Sequence, residues 1–186
     1  MIIFDWEQAV IDVARTWPRE GMTWSFFKFW TDYHQSFWLL LFLVIVLGFK
    51  MGWKKLVVPS ILAFCAFGAS DLVSRRLIKA FIMRPRPNFI NMECSHSYCW
   101  GFVSSHATNI TAAAIILCLY DRRNVIWAIP VTLLVCFSRI YLIDHFPLDV
   151  IGGMALGTIV GFLLWGLFKK IPPQTGLGRS IQRMLQ

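Results

Sequence analysis

The chain has 186 residues, of which 57% are hydrophobic, 16% are aromatic and only 15% are charged. A soluble domain usually has about 45–50% apolar and about 25% charged residues, so this composition indicates a membrane protein. It excludes disordered, collagen-like and nucleic-acid-binding chains. The formal charge of +8 is therefore expected to report orientation in a bilayer. The length suits a single domain, 1–186, made of a few spanning helices.

The N-terminal segment, 1–35, is predicted to lie at the surface of the bilayer. Acidic residues occur early in it, which is not typical of a secretory signal peptide. Hydrophobic residues recur at helical spacing up to Pro18, and an aromatic-rich stretch follows. This pattern predicts an interfacial amphipathic helix and an aromatic belt at the water boundary. The recurring apolar residues are Ile3, Trp6, Val10, Val13 and Trp17.

Apolar runs then predict an all-α bundle that spans the membrane about five times over residues 36–170. The runs cover 37–53, 56–81, 107–120, 125–143 and 147–168. A span needs about 17–25 residues, so the first and third runs must tilt or borrow flanking residues. Residues 171–186 are predicted to form a polar cytoplasmic tail.

The distribution of charge predicts which side of the membrane each connection faces. Alternation places the 50–55 turn, the 121–124 turn and the tail on one face, with nine basic residues and one acid. The positive-inside rule assigns that face to the cytoplasm. The 83–104 loop and the 144–146 turn then face outward. We therefore expect a multi-pass protein of a bacterial inner membrane, with its polar site facing the periplasm.

Charged and polar residues that are costly in lipid collect at the outward ends of the spans. Spans two and four end on that face and spans three and five begin there, so simple threading brings them to one membrane level. Three cations among them can hold phosphate oxygens, and the helix N-termini after Ser105 and at Pro147 favour an anion. The collected residues are Lys79, Arg86, Ser104, His106, Arg139, His145 and Asp149.

Two histidines and a carboxylate in this group suit nucleophilic phosphoryl transfer. Asp149 follows His145 by four residues at a predicted helix start, so it can orient one ring nitrogen and leave the other free to attack. His106 comes from a different span and can act as a general acid. No carboxylate cluster of metal-ligand type accompanies them in the sequence, which favours chemistry without a metal or another cofactor.

The same residues resemble the three signatures of the type 2 phosphatidic acid phosphatase (PAP2) superfamily. Lys79, six residues and Arg86-Pro87 resemble the first signature, and Val103-Ser104-Ser105-His106 resembles the second. Ser138-Arg139, five residues, His145, three residues and Asp149 resemble the third. The blocks occur in family order and together cover 79–149.

The resemblance implies a role for each residue. His145 is the nucleophile that forms a phosphohistidine, Asp149 orients it, and His106 protonates the leaving group. No metal takes part. The implied phosphate cage consists of Lys79, Arg86, Ser104, Arg139 and the backbone N–H of Ser105.

Three residues depart from the family pattern. Val103 replaces a proline, and Ser105 stands where glycine is usual. Glycine would permit positive φ or close backbone approach, whereas Ser105 either tolerates this conformation or adds a hydroxyl donor. Asp144 directly precedes His145, where it is expected either to cap the fifth helix or to act on a nearby histidine by its charge.

Further polar residues near the site have two interpretations. Asp71 and Arg75 are four residues apart and can neutralise each other on one helix face. Alternatively, a set of residues recognises a second phosphate or an acidic headgroup. That set is Arg75, Arg76, Arg84 and Asp144. In the outward loop, Cys94 and Cys99 either form a disulfide in an oxidising compartment or remain free thiols.

The predicted function is removal of a phosphate monoester or diphosphate headgroup from a membrane lipid at the outer leaflet. Lipid A 1-phosphate and undecaprenyl diphosphate are the favoured substrates, with phosphatidylglycerol phosphate and phosphatidic acid as alternatives. A lipid phosphotransferase and a non-enzymatic lipid or anion transporter stay open as other interpretations. The expected partners are the lipid bilayer and the lipid substrate, with no nucleic acid and no obligate protein partner.

Overall fold

The computed structural model describes residues 3–31, 53–90, 97–172, 174–176, 178, 179 and 182. Within these residues the chain is helical, with one isolated β-bridge between Pro85 and Trp100. A π-helical turn, Val73–Ile78, joins the third helix to the fourth. The helices are α1 Asp5–Arg15, α2 Gly21–Thr31, α3 Trp53–Leu72, α4 Lys79–Ile82, α5 Ser105–Tyr120, α6 Val125–Tyr141 and α7 Pro147–Phe168.

The described helices confirm the predicted all-α membrane fold. Three segments are long and apolar enough to cross a bilayer, namely Val57–Ile82, Arg122–Tyr141 and Pro147–Phe168. Helix α5 is also apolar but has only 16 residues, as predicted for the third run. The first predicted run, 37–53, lies outside the described residues except for its last position, as does part of the predicted tail.

Helices α5 and α7 pack closely because glycines line their contact. A Cβ added at Gly153 would lie 2.7 Å from the Ser104 carbonyl oxygen, and one at Gly157 would collide with the Thr108 carbonyl oxygen. Small residues are what allow two helix backbones to approach this far. An apolar core formed with α3 continues from this contact. Its buried members are Leu62, Ala66, Ala112, Ile116, Val160 and Trp165.

Helix α1 docks on the turn between α6 and α7. A buried cluster joins the two elements, formed by Ile11, Ala14, Ile143 and Phe146. Trp6 and Val13 of the predicted apolar stripe are 48% and 56% exposed, so they do not pack on this turn and their place at the bilayer interface stays a prediction. Glu7 instead lies on the buried face, completely covered. The hydrophobicity pattern does not predict the burial of Glu7, because it assigns every carboxylate to the polar face of the helix.

Aromatic rings of α2 pack against the C-terminal end of α6. The buried ring of Phe27 lies 4.8 Å from that of Tyr141, centroid to centroid, and the Trp24 ring lies 6.0 Å away. The Tyr141 hydroxyl also donates a hydrogen bond to the Pro18 carbonyl oxygen at 2.9 Å. Part of the predicted aromatic belt thus holds the N-terminal helices against the bundle.

Candidate active site

The candidate site lies where α5 and α7 begin and α6 ends. The Ser104 backbone N–H donates to the Asp149 carbonyl oxygen at 2.9 Å, which holds the two helix starts together. The Arg139 carbonyl oxygen accepts from the His145 N–H at 3.3 Å, so the chain after α6 folds back toward these starts. Ile143 in this turn has φ of 58°, a conformation that costs a β-branched residue on the order of 1–2 kcal/mol. Its packing against α1 offsets that cost.

His145 is buried in this turn, with 1% of its surface exposed. Its Nδ1 lies 3.6 Å from Asp149 Oδ2, beyond hydrogen-bond distance, and has no hydrogen-bond partner within the described residues. Burial, together with the positive charges of Arg86, Lys79 and Arg139, lowers the pKa of His145 well below its usual value. The ring is therefore neutral at neutral pH, and a neutral imidazole is the form that can attack phosphorus.

Three cations act on His145 through their charges. Lys79 and Arg139 are buried, and the half-buried Arg86 guanidinium lies over the Tyr98 ring at 4.9 Å. Such a group attracts a phosphate and can bind its oxygens through charge-assisted hydrogen bonds. The buried Ser104 Oγ has no hydrogen-bond partner among the residues that the structure describes, which leaves its hydroxyl available to an anion. These placements agree with the predicted phosphate cage, whose binding role stays a prediction.

The π-helical turn sets the direction of Lys79. The Lys79 backbone N–H bonds to the Ser74 carbonyl oxygen five residues earlier, and Ser70, Ser74 and Lys79 are all buried. In a regular α-helix, with 3.6 residues per turn, Lys79 would lie about 140° around the axis from Ser74. The wider turn returns Lys79 to the interior face. Such turns are frequent at functional sites, and hydropathy carries no signal for them.

The start of α5 offers backbone donors to the site. The first intrahelical bond here runs from the Thr108 N–H to the Ser104 carbonyl oxygen at 3.0 Å, so the Ser105 N–H has no acceptor within the helix. Ser105 has a helical backbone, which removes the need for glycine. Its hydroxyl accepts from Ser74 at 3.1 Å. His106 lies in the same first turn and is partly buried.

Arg84 lies in the interior and not at a headgroup position. Its Nη1 is 2.7 Å from Asp149 Oδ1, and its Nη2 is 2.6 Å from Glu7 Oε2. The prediction that Arg84 contacts a headgroup is therefore wrong, because two buried carboxylates occupy its guanidinium. Glu7 Oε1 also accepts from the Leu148 N–H at 3.1 Å. The prediction that the start of α7 binds a substrate anion is also wrong, because the Leu148 N–H already donates to the Glu7 carboxylate.

The two aspartates beside His145 have different partners. Asp149 Oδ2 accepts from the Phe146 backbone N–H at 3.0 Å and so caps α7. The prediction that Asp144 caps this helix is wrong, because Phe146 occupies the N-cap position. Asp144 instead pairs with Arg139 at 3.1 Å and holds one cation of the site.

The arginines of the π-helical turn are exposed. Arg75 Nε is 2.9 Å from Asp71 Oδ1, which confirms the predicted pair on one helix face. The side chain of Arg75 remains 49% exposed. Arg76 is also exposed, and its contact with a headgroup stays a prediction.

A segment around Cys99 supports Arg86. The Arg86 backbone N–H donates to the Cys99 carbonyl oxygen at 2.9 Å, and Cys99 is disulfide-bonded. Its predicted partner, Cys94, lies outside the described residues, so the pairing stays a prediction. The described cysteines in the helices are free, namely Cys65, Cys118 and Cys136.

Sequence reasoning missed two residues that shape the site. A Cβ at Gly101 would lie 2.6 Å from Asp149 Oδ2, so glycine leaves room for that carboxylate. Glu7 precedes Ile11 by four residues and Ala14 by seven, a spacing that puts all three on one helix face. That spacing is the only sequence signal for Glu7, whereas no sequence signal marks Gly101.

The chain is similar to known membrane phosphatases. Residues 56–172 match the family model of the PAP2 superfamily, and the match contains all three motif blocks. Phosphatidylglycerophosphatase B of Bacillus subtilis (strain 168) is 28% identical over 143 residues, which are 71% of this chain and 69% of that protein. Undecaprenyl-diphosphatase BcrC of the same organism is 32% identical over 102 residues, 53% of this chain and 52% of that protein.

Two further comparisons extend this likeness. Decaprenylphosphoryl-5-phosphoribose phosphatase of Mycobacterium tuberculosis is 31% identical over 133 residues, 68% of this chain and 69% of that protein. The crystal structure of a transmembrane PAP2-type phosphatidylglycerolphosphate phosphatase from Bacillus subtilis matches with a TM-score of 0.61 at 25% identity. That match covers 89% of this chain and 86% of the other.

Proposed function

The chain belongs to the PAP2 superfamily and is a multi-pass membrane phosphatase; we propose that it hydrolyses a phosphorylated lipid through a phosphohistidine on His145, without a metal ion. The observation that carries this proposal is the buried His145 ring, whose Nδ1 lies 3.6 Å from Asp149 Oδ2 and on which the charges of Arg86, Lys79 and Arg139 act. A binding or transport site needs the cations but not a neutral nucleophile with a carboxylate beside it. The proposal therefore favours an enzyme over a transporter.

The proposed reaction proceeds in two displacements. The ring nitrogen of His145 that faces away from Asp149 attacks phosphorus, the bond to the leaving oxygen breaks, and His106 donates a proton to that oxygen. The Asp149 carboxylate stabilises the positive charge that the ring acquires. In the second step, water gives a proton to His106 and attacks the phosphohistidine, which releases phosphate and restores the neutral ring.

The charges of the site support chemistry that does not depend on a metal. Lys79, Arg86 and Arg139 neutralise a phosphate as a bound cation would, and they already face His145. Asp149 and Asp144 are each ion-paired with an arginine. The nearby carboxylates are thus committed to the protein's own cations.

The names of the relatives support a phosphorylated lipid as the substrate class. The relatives are named for phosphatidylglycerol phosphate, undecaprenyl diphosphate and a decaprenyl phosphoribose, which share a phosphate on a lipid. We favour lipid A 1-phosphate and undecaprenyl diphosphate, with phosphatidylglycerol phosphate and phosphatidic acid as alternatives. The second phosphate or acidic headgroup is proposed to meet the exposed Arg76, since Arg75 is already paired with Asp71. We place the site on the periplasmic side of the inner membrane.

Phosphate release from a lipid panel in EDTA tests the proposal. Detergent-purified protein is expected to release phosphate from at least one of lipid A, undecaprenyl diphosphate, phosphatidylglycerol phosphate and phosphatidic acid, because fixed cations replace the metal. The His145→Ala variant serves as the control. Activity that EDTA removes and Mg²⁺ restores would contradict metal independence. No release from any lipid would point to the transferase or transporter, which acceptor and flux assays separate.

The Gly101→Ala variant is expected to have a kcat about 100-fold lower than wild type, because its new Cβ must displace the Asp149 carboxylate. The matched control is Gly68→Ala in α3, where nothing lies within 4 Å of the added Cβ. Turnover of the best lipid measures both. Equal activity of the two variants would show that the Asp149 position tolerates displacement.

A further inference from the structure

Glu7 is a buried carboxylate that lies far from the three family motifs in sequence. It belongs to α1, its side chain is completely covered, and both of its oxygens are engaged. One oxygen accepts from the Arg84 guanidinium at 2.6 Å and the other accepts from the Leu148 N–H at 3.1 Å. A charge in such a place is costly unless it is paired and hydrogen-bonded. These contacts therefore offset the cost of burying the Glu7 carboxylate.

We infer that Glu7 is a positioning residue for the catalytic pair His145 and Asp149, acting through Arg84. This inference rests on the proposed function. It assigns a role in the reaction to the N-terminal helix, which lies outside the residues matched by the family model.

The geometry of the contacts carries the inference. The guanidinium of Arg84 bridges Glu7 and Asp149, with 2.6 Å and 2.7 Å contacts on its two terminal nitrogens. The Phe146 ring lies against its face, 4.8 Å from ring centroid to Cζ. Arg84 is thus held on three sides, and it in turn fixes the Asp149 oxygen that does not face His145.

The balance of charge explains why Glu7 matters for the chemistry. Arg84 alone would neutralise Asp149 and leave little negative charge to stabilise the ring of His145 as it becomes positive. With Glu7 present, the three groups sum to one negative charge, which acts on the ring at short range and in a buried setting. Removing the Glu7 charge should therefore weaken the transition state more than it weakens substrate binding.

A charge-removing substitution tests this directly. Glu7→Gln is nearly isosteric and is expected to lower kcat roughly 10- to 100-fold, the range typical for losing a group that orients a reactive ligand, with KM unchanged. The matched control is Asp12→Asn, which removes the same charge from the exposed face of α1 and is expected to keep wild-type activity. Both variants are first compared in thermal unfolding in detergent.

A double-mutant cycle separates positioning from simple support of the fold. If Glu7 acts through Asp149, then Glu7→Gln has little further effect in an Asp149→Asn background. A purely structural role would instead multiply the two losses. Wild-type kcat in Glu7→Gln, or multiplied losses in the double variant, would overturn the inference.

A spectroscopic measurement keeps this inference distinct from the proposed function. The chain has four histidines, and His145→Ala assigns the ring ¹⁵N signals of His145 in histidine-labelled protein. These signals should shift in Glu7→Gln and stay in place in Asp12→Asn, whether or not any tested lipid is a substrate. Unchanged signals in Glu7→Gln would overturn the inference, whereas wild-type protein without phosphatase activity would overturn only the proposed function.

Discussion

Replacing His145 by alanine is expected to abolish phosphate release while the protein still folds. The substitution removes the nucleophile, and such losses lower kcat by roughly four orders of magnitude or more. The ring is 1% exposed, so its loss leaves a cavity, and thermal unfolding in detergent must show that the variant is folded at the assay temperature. Phosphate release and a trapped phosphoryl label, acid-labile and alkali-stable, measure the effect in wild type and variant.

The His106→Ala variant is the matched comparison for this result. A phosphate ester with a good leaving group should restore the first displacement in this variant, seen as release of the leaving group, whereas breakdown of the phosphohistidine stays slow because His106 is also the proposed base for water. The same ester should not restore His145→Ala, because no nucleophile remains. A phosphoryl label that persists in His145→Ala would show that another residue is the nucleophile.

Replacing Arg84 by alanine is expected to destabilise the protein by about 3–5 kcal/mol, because it leaves the carboxylates of Glu7 and Asp149 buried without their cation. The comparison is Arg15→Ala, which removes an exposed arginine from a surface pair with Asp12 and should cost about 1 kcal/mol or less. Thermal unfolding in detergent ranks the two variants. Equal unfolding midpoints would show that the buried charges rearrange without cost.

A second substitution checks the physical reason for this loss. Glu7→Gln in the Arg84→Ala background removes one of the two stranded charges, so it should recover part of the lost stability. In the wild-type background the same change should not stabilise the protein, because Arg84 then loses a partner. Additive effects in the two backgrounds would indicate that the charges do not interact.

The spans were accessible from the sequence because hydropathy is a local property. The run predicted at 147–168 coincides with α7, and the runs at 56–81 and 125–143 differ from the observed segments by a few residues at their ends. The sequence also predicted that Lys79, Arg139 and His145 lie near each other, because spans that alternate in direction bring their outward ends to the same depth in the membrane. These conclusions needed only the order and polarity of segments.

The directions in which polar side chains point, and the partners they contact, could not be predicted from hydropathy. Lys79 faces the site because the helix contains a wider, π-helical turn just before it. Rules based on the regular α-helical spacing do not predict such a turn. Arg84 faces inward although its neighbours in sequence made it resemble a headgroup contact. Asp144 holds Arg139 and does not cap α7.

By itself, therefore, the sequence determined the membrane class, the spans within the described residues and the chemical groups near the site, because each depends on residue type and short-range order. Only the tertiary structure decided which carboxylate supports Asp149. Glu7 lies 77 residues from Arg84 and 141 from Leu148, yet it contacts both. The reason is physical: a charge can be buried only where a distant segment supplies its partner, and the helical pattern of α1 identifies a face of the helix but not what that face meets.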